Sequence, residues 1–214
     1  KQRVAIGRAL LSNPRLLLLD EPMAALDAAR KAEILPYLER LRDRAQMPIL
    51  YVSHHASEVA RLATDVVVLA QGRVLKSGPV AAVLTDLDLV SATGIRDAAA
   101  LISARVVAHH ADGLTELSGA GGALFLPKMA APVGARLRVR VEAQDVMLAR
   151  TAPTQISALN ILPVEVLALR SGDGPGAMVQ VRAGDEVLLA RVTARSAKAL
   201  DLAAGGPAFA VIKS

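Results

Sequence analysis

The chain has 214 residues, 53% hydrophobic and 2% aromatic, with 25 Lys and Arg against 20 Asp and Glu, a formal net charge of +5. That apolar content excludes intrinsic disorder and calls for an aliphatic core in one large domain or two small ones. No apolar run reaches the roughly 18–20 residues of a bilayer-spanning helix, and the absence of cysteine excludes disulfides and thiolate metal sites, which fits the cytosol.

The predicted elements begin with helical spacing over 4–11, stopped by the breaker pair Asn13-Pro14. Leu16-Leu17-Leu18-Leu19 is a short apolar run, as expected of a strand buried on both faces of a parallel sheet. Asp27 is placed to cap a helix over 28–44 with apolar residues at Ile34, Leu35, Leu38 and Leu41. A second buried strand is expected over 48–52, a short helix over 57–63, a third strand over 66–69, and a turn at Gln71-Gly72 into a strand over 73–76. This alternation predicts an α/β sheet.

After about residue 90 the rhythm changes. Ser91-Ala92-Thr93-Gly94 reads as a linker, followed by short strands over 103–108, 114–117, 123–126, 137–141 and 146–148. A second break at 151–154 precedes strands over 164–169, 178–181, 187–192 and 208–212, with a turn at Gly172-Asp173-Gly174-Pro175-Gly176. Ile102-Ser103-Ala104 recurs as Ile156-Ser157-Ala158, each opening a strand-rich segment. Such spacing predicts a small β-barrel of the oligonucleotide/oligosaccharide-binding kind.

Charge is spread evenly: 12 basic and 10 acidic residues over 1–90, seven and five over 91–150, six and five over 151–214. With aromatic residues scattered too, the sequence offers no stacking platform, and no nucleic-acid partner is expected. Arg136, Arg138 and Arg140 alternate along one strand as a solvated face. His109 and His110 are adjacent on a strand and so point to opposite faces, which argues against a shared metal.

The strongest chemical signal is Leu16-Leu17-Leu18-Leu19-Asp20-Glu21-Pro22. A hydrophobic strand ending in two carboxylates places both at the carboxyl edge of a parallel sheet, where α/β proteins bind ligands. One carboxylate can hold Mg²⁺, directly or through water, while the next orients or deprotonates a water that attacks a phosphate. An isolated Asp-Glu pair more often caps a strand and faces solvent, but here Ala24-Ala25-Leu26-Asp27 follows closely. The strand that ends in Val52-Ser53-His54 delivers an imidazole towards the same edge.

In these motifs the first eighty residues resemble the second half of an ABC-transporter nucleotide-binding domain. Residues 2–10 look like the helix just after the Leu-Ser-Gly-Gly signature, Leu16 to Asp20 like the Walker B strand, Glu21 like the catalytic glutamate, Ala24 to Asp27 like the D-loop and His54 like the switch histidine. Ala24 stands where the D-loop often has serine, and His55 directly follows His54. No Gly-x-x-x-x-Gly-Lys-Ser/Thr loop, signature motif or glutamine loop occurs. The resemblance therefore implies a C-terminal fragment, inactive alone, of a subunit that binds ATP.

Arg138 to Val146 resembles a strand of the β-barrel appendages of importer ATPases. Ile156-Ser157-Ala158-Leu159-Asn160, residues 193–202 and the closing Ala210-Val211-Ile212-Lys213-Ser214 resemble molbindin-type domains, which bind molybdate. Molybdate, a tetrahedral dianion, needs hydroxyl, amide, backbone N–H and ammonium donors, and Ser157, Asn160, Ser196 and Lys198 supply such groups. Leu159 stands where that motif has arginine.

The expected architecture is a partial P-loop NTPase α/β sheet followed by an all-β, OB-like and molbindin-like barrel region. Its segments are the C-terminal part of an ABC nucleotide-binding domain at 1–90, a linker and first β-rich segment at 91–150, and a molbindin-like oxyanion-binding barrel at 151–214. The resemblance implies a homodimer of ATP-binding subunits at the cytoplasmic face of the bacterial inner membrane, with ATP, Mg²⁺, integral-membrane permease subunits, and molybdate or tungstate as cargo and regulatory ligand. In it Asp20 helps hold Mg²⁺, Glu21 activates water, Asp27 couples the two sites and His54 contacts the γ-phosphate. Two alternatives stay open: the same ATPase carrying sulfate, sugar, polyamine or iron, and an oxyanion-binding or storage module without ATPase activity.

Overall fold

The computed structural model describes residues 2–44, 47–93, 98–171 and 174–213. The chain divides into two compact units, 1–66 and 67–214, with the division falling inside one strand.

The first unit contains α1 (Gln2–Leu11), β1 (Leu17–Asp20), α2 (Ala28–Arg44), β2 (Ile49–Val52) and α3 (Ala56–Leu62). β1 and β2 pair in parallel, from Leu17 opposite Ile49 to Asp20 opposite Val52. Parallel neighbours require a crossover, and α2 is that connection. Asp27 caps α2 as its residue type dictates, accepting from the Arg30 backbone N–H at 2.8 Å. The core consists of Leu17, Leu19, Met23, Ile34, Leu35, Leu38 and Leu62, with Ile6, Ala9 and Leu10 of α1 packed against it.

β1 departs from expectation. Its residues alternate between buried and exposed, with Leu18 62% exposed, and on β2 Leu50 is 57% exposed. The reason is one-sided cover: the apolar residues of α1, α2 and α3 pack with Leu17 and Leu19, and the described residues leave the face of Leu18 open.

In the second unit, β3 (Asp65–Ala70) and β4 (Arg73–Pro79) form a two-stranded sheet, turned at Gln71 and Gly72, both of which have positive φ. Among the described residues β3, expected as a third strand of the α/β sheet, pairs with β4 in this two-stranded ribbon. Two helices follow that the sequence analysis lacks, α4 (Val80–Leu84) and α5 (Leu87–Thr93). Ser91 to Thr93, expected as linker, are the end of α5, and Gly94 lies outside the described residues.

The remaining strands are β5 (Ala99–His109), β6 (Leu114–Gly119), β7 (Gly122–Pro127), β8 (Arg136–Glu142), β9 (Val146–Ala149), β10 (Asn160–Ser171), β11 (Gly176–Ala183), β12 (Glu186–Thr193) and β13 (Pro207–Ile212). A 3-10 turn at Ala143–Asp145 precedes β9, and α6 (Ala194–Ala199) follows β12. Of the expected glycine-rich turn, Gly172 and Asp173 lie outside the described residues, and Gly176 already belongs to β11.

One sheet runs β7-β6-β5-β8 and the other β12-β11-β10-β13-β9. The outer strands β9 and β12 of the larger sheet touch, so it curls like a barrel. The two sheets share one core: Ile102, Val106, Leu117 and Leu124 of the first pack in the same cluster as Val166, Val181, Leu188 and Ala210 of the second. Segments 91–150 and 151–214 are thus interlocked, with β9 pairing to β13. The Ile-Ser-Ala repeat is not a structural one: residues 102–104 lie inside β5, whereas 156–158 precede β10.

Two features fix the sheets to each other. Turn residue Gly184, at φ 59°, lies so close to Ala120 that a Cβ there would sit 2.2 Å from the Ala120 carbonyl oxygen. Asn160, fully buried, accepts from the Phe125 N–H through Oδ1 at 2.6 Å and donates to the Phe125 carbonyl through Nδ2 at 3.0 Å. Its amide takes the place of a neighbouring strand's peptide along the outer strand β7, satisfying both backbone groups.

Replacing Asn160 by alanine orphans both Phe125 groups, and the expected cost is about 2–5 kcal/mol of stability. Urea unfolding of the chain checks this; a loss below about 0.5 kcal/mol would mean that the clamp holds nothing.

Candidate functional site

The parallel register brings the ends of β1 and β2 together, and with them the two motifs singled out in the sequence. The Glu21 N–H continues the ladder by donating to the Val52 carbonyl at 3.0 Å. Glu21 then turns the chain with φ 42°, in the left-handed region where non-glycine residues are uncommon. Its carbonyl accepts from the Ala24 N–H at 3.1 Å, closing the turn towards Asp27. A conformation of this kind persists where surrounding bonds over-determine it, as they do here.

The Glu21 side chain reaches His54. Oε1 lies 2.6 Å from His54 Nδ1 and accepts from the His54 backbone N–H at 3.2 Å. With the carboxylate ionised, Nδ1 carries the proton and donates, which fixes the tautomer. The other carboxylate oxygen, Oε2, is buried and has no hydrogen-bond partner among the described residues. His54 itself is 68% exposed. His55, next in sequence, has its ring centroid 4.1 Å from that of His54, tilted by 39°, and precedes α3 as its N-cap residue.

Asp20 is exposed at the end of β1, one residue before Glu21. A carboxylate is the hard oxygen donor that Mg²⁺ prefers, so the residue type fits that ion. Asp27 is exposed and engaged by Arg30, at 2.8 Å to its backbone N–H and 3.6 Å to its side chain. Asp20, Glu21 and His54 thus cluster at the ends of the paired strands, with Asp27 just beyond at the head of α2.

Sequence reasoning missed Glu58. It is 3% exposed on α3 and receives Lys31 Nζ at 2.8 Å on Oε1, and the Tyr51 and Ser53 hydroxyls, each at 2.8 Å, on Oε2. The signal available was a lone glutamate in a short helix; Ser53 and Tyr51 lie only five and seven positions before it, but the charged donor Lys31 is 27 positions away and only the fold brings it there. Burial works to raise the Glu58 carboxyl, but the hydrogen bonds from Lys31, Tyr51 and Ser53 outweigh it and hold the group below the usual range. Burial, then the bond to Glu58, then the negative charges of Glu58 and Glu21, push the Tyr51 phenol far up, so it remains a donor.

The four oxyanion candidates do not come together in this chain. The Asn160 amide bonds the Phe125 backbone, as above. Ser157 is exposed just before β10. Ser196 shares a hydroxyl–hydroxyl bond of 2.8 Å with Thr193, whose Oγ1 also accepts from the Ser196 N–H and caps α6; Lys198 is exposed on that helix. Asn160 lies opposite Ile212, whereas Thr193 lies opposite Gly176, next to the Ala177–Ser171 pair. The register therefore sets Ser157 and Asn160 at one end of β10 and α6 at the other.

His109 and His110 have separate partners. His109 bonds Thr115 Oγ1 and the Ala131 carbonyl, each at 2.9 Å, and His110 bonds Glu116 at 3.0 Å. Arg136 and Arg138 are exposed, while Arg140 pairs with Glu142.

Comparison with known proteins gives a consistent result. The TOBE domain family matches residues 156–214. The whole chain is 53% identical to the molybdenum import ATP-binding protein ModC of Mesorhizobium japonicum and 55% identical to that of Albidiferax ferrireducens, covering 58% of each. It thus spans less than two thirds of the length of these curated relatives. Among solved structures, a cytoplasmic molybdate-binding protein, ModG, with molybdate bound, aligns with 53% of the chain and 89% of its own, at 23% identity and a TM-score of 0.47, a likeness too low to carry an argument.

The Glu58 cluster sets a pH dependence. A carboxyl held below its ordinary value of about 4.3 supports the fold above that pH, and the support is lost as pH falls through the depressed value. Lys31→Met removes the charged donor and is expected to cost about 1–3 kcal/mol at pH 7 and to flatten the loss of stability between pH 5 and 3. Urea midpoints across that range check this; a slope as steep as wild type would contradict it.

Proposed function

We propose that the chain, 52–55% identical to molybdenum import ATP-binding proteins over its whole length, belongs with them and is part of the ATP-hydrolysing subunit of an ABC importer for molybdate. The observation that carries the reading is the Glu21–His54 pair at the ends of two parallel strands, where α/β proteins bind ligands. Glu21, held by His54 on Oε1 and without a hydrogen-bond partner among the described residues on its buried Oε2, would take a proton from a water admitted to that oxygen. His54, its Nδ1 side engaged, keeps Nε2 for a phosphate oxygen. Asp20 would hold Mg²⁺, which when bound neutralises phosphate charge.

The rest of the site belongs to the complete protein. In this reading two such subunits pair, Asp27 couples their sites, and closure around ATP drives permease subunits from the cytoplasmic face of the membrane. No helix among the described residues is long and apolar enough to cross a membrane. Molybdate as cargo is supported by the names of the relatives, molybdenum import ATP-binding proteins. Because Ser157 and Lys198 lie at opposite ends of the sheet, any oxyanion site they share needs groups from a second molecule or another part of the protein.

In the complete protein Glu21→Gln is expected to retain ATP binding within about threefold while hydrolysis falls by about 10²- to 10⁴-fold, the usual contribution of a general base. Equilibrium binding and steady-state turnover check this, and full turnover would remove Glu21 as the base. Calorimetric titration of the same protein is expected to give saturable heat with molybdate and tungstate and none with sulfate. Heat with sulfate alone would transfer the cargo assignment to that anion.

A further inference from the structure

We propose that Glu58 is a positioning residue for hydrolysis, whose buried carboxylate ties the helix that Asp27 opens to the loop that carries His54 and so holds His54 against Glu21. The inference rests on the ATPase reading above for its kinetic consequence, while its geometric part stands independently.

Burying a carboxylate is costly in general, and a well-packed apolar residue in its place often stabilises a fold as much or more. A buried charge with a full set of donors therefore points to geometry. The donors come from three different places: Lys31 in the first turns of α2, Tyr51 within β2, and Ser53 in the loop after β2. None is on α3, which carries Glu58 itself.

The bonds enclose His54 in sequence. Ser53 Oγ donates to Glu58 and accepts from the His55 N–H at 3.1 Å, so the residues on either side of His54 are tied together. The Glu58 backbone N–H donates to the His55 carbonyl at 3.1 Å, which closes the segment 53–58 on itself. His54 is mostly exposed, so little packing fixes its place; the loop does so, and the loop is fixed by Glu58. On the other side, Lys31 follows Asp27 by one helical turn, its N–H donating to the Asp27 carbonyl at 2.9 Å. One carboxylate thus joins the head of α2 to the histidine loop. Glutamine cannot replace it, because three donors would meet a single acceptor oxygen and an NH₂ group.

The test uses the complete protein with histidines labelled with ¹⁵N, His54 being assigned by His54→Gln. In wild type the His54 resonances are expected to report the Nδ1–H tautomer. In Glu58→Gln they should move to the tautomer mixture of a free imidazole, with kcat for ATP falling at least about tenfold and KM within about twofold, the pattern of a misplaced group rather than lost binding. Ser53→Ala, a milder change, should shift the tautomer in the same direction and lower kcat; it carries the test if Glu58→Gln does not fold. Leu38→Ala, a core truncation in α2, serves as control and should lower the melting temperature while leaving tautomer and kcat unchanged. Wild-type tautomer and kcat in the foldable Glu58 or Ser53 variants would overturn the proposal, as would the same tautomer change in Leu38→Ala. Absence of turnover in wild type would defeat the ATPase reading, and the tautomer comparison would then decide the positioning role alone.

Discussion

The parallel pairing of β1 with β2 is the constraint on which the candidate site depends. Neither strand carries a complete reactive group: β1 ends in Asp20 and leads to Glu21, and β2 leads to His54. Register alone, with Asp20 opposite Val52, puts the carboxylate within 2.6 Å of the imidazole. The helix that crosses between the strands brings Lys31 to Glu58, so the same connection that makes the strands parallel also supplies the charge that holds the histidine loop. The local conformation of Glu21, left-handed and bonded at backbone and side chain, is a consequence of that arrangement.

The second unit obeys a different constraint. Two antiparallel sheets bury a single aliphatic core and must meet without leaving backbone groups unpaired. Asn160 supplies a side-chain amide where a strand would otherwise be needed, and Gly184 supplies the absence of a side chain where the turns meet. These are contacts of assembly. They account for why Asn160, a polar residue in a motif that resembles an anion-binding one, faces inward to a backbone.

Much of this was legible in the sequence. Alternating aliphatic and polar residues located the strands of the second unit, and Asp27 announced the start of α2. The two carboxylates after Leu19 and the histidine after Ser53 marked the site because residue type and strand order suffice to place them. What was not legible has physical reasons. A run of four leucines has no polar partner to mark a face, so the exposure of Leu18 depends on what else covers the sheet. The helices α4 and α5 are 5 and 7 residues long, too short for an apolar period to show. Glu58 takes its charged partner, Lys31, from 27 positions away and Asn160 its partner, Phe125, from 35, and pairing across such separations is a property of the fold.

The central claim is that Glu21 and His54 together form the water-activating end of a nucleotide site. The most direct measurement is a crystal structure of the complete protein carrying Glu21→Gln, with Mg²⁺ and ATP. The account predicts the terminal phosphate within hydrogen-bonding distance of His54 and a water between that phosphate and the side chain at position 21. A nucleotide bound elsewhere, or a terminal phosphate beyond reach of both residues, would contradict it.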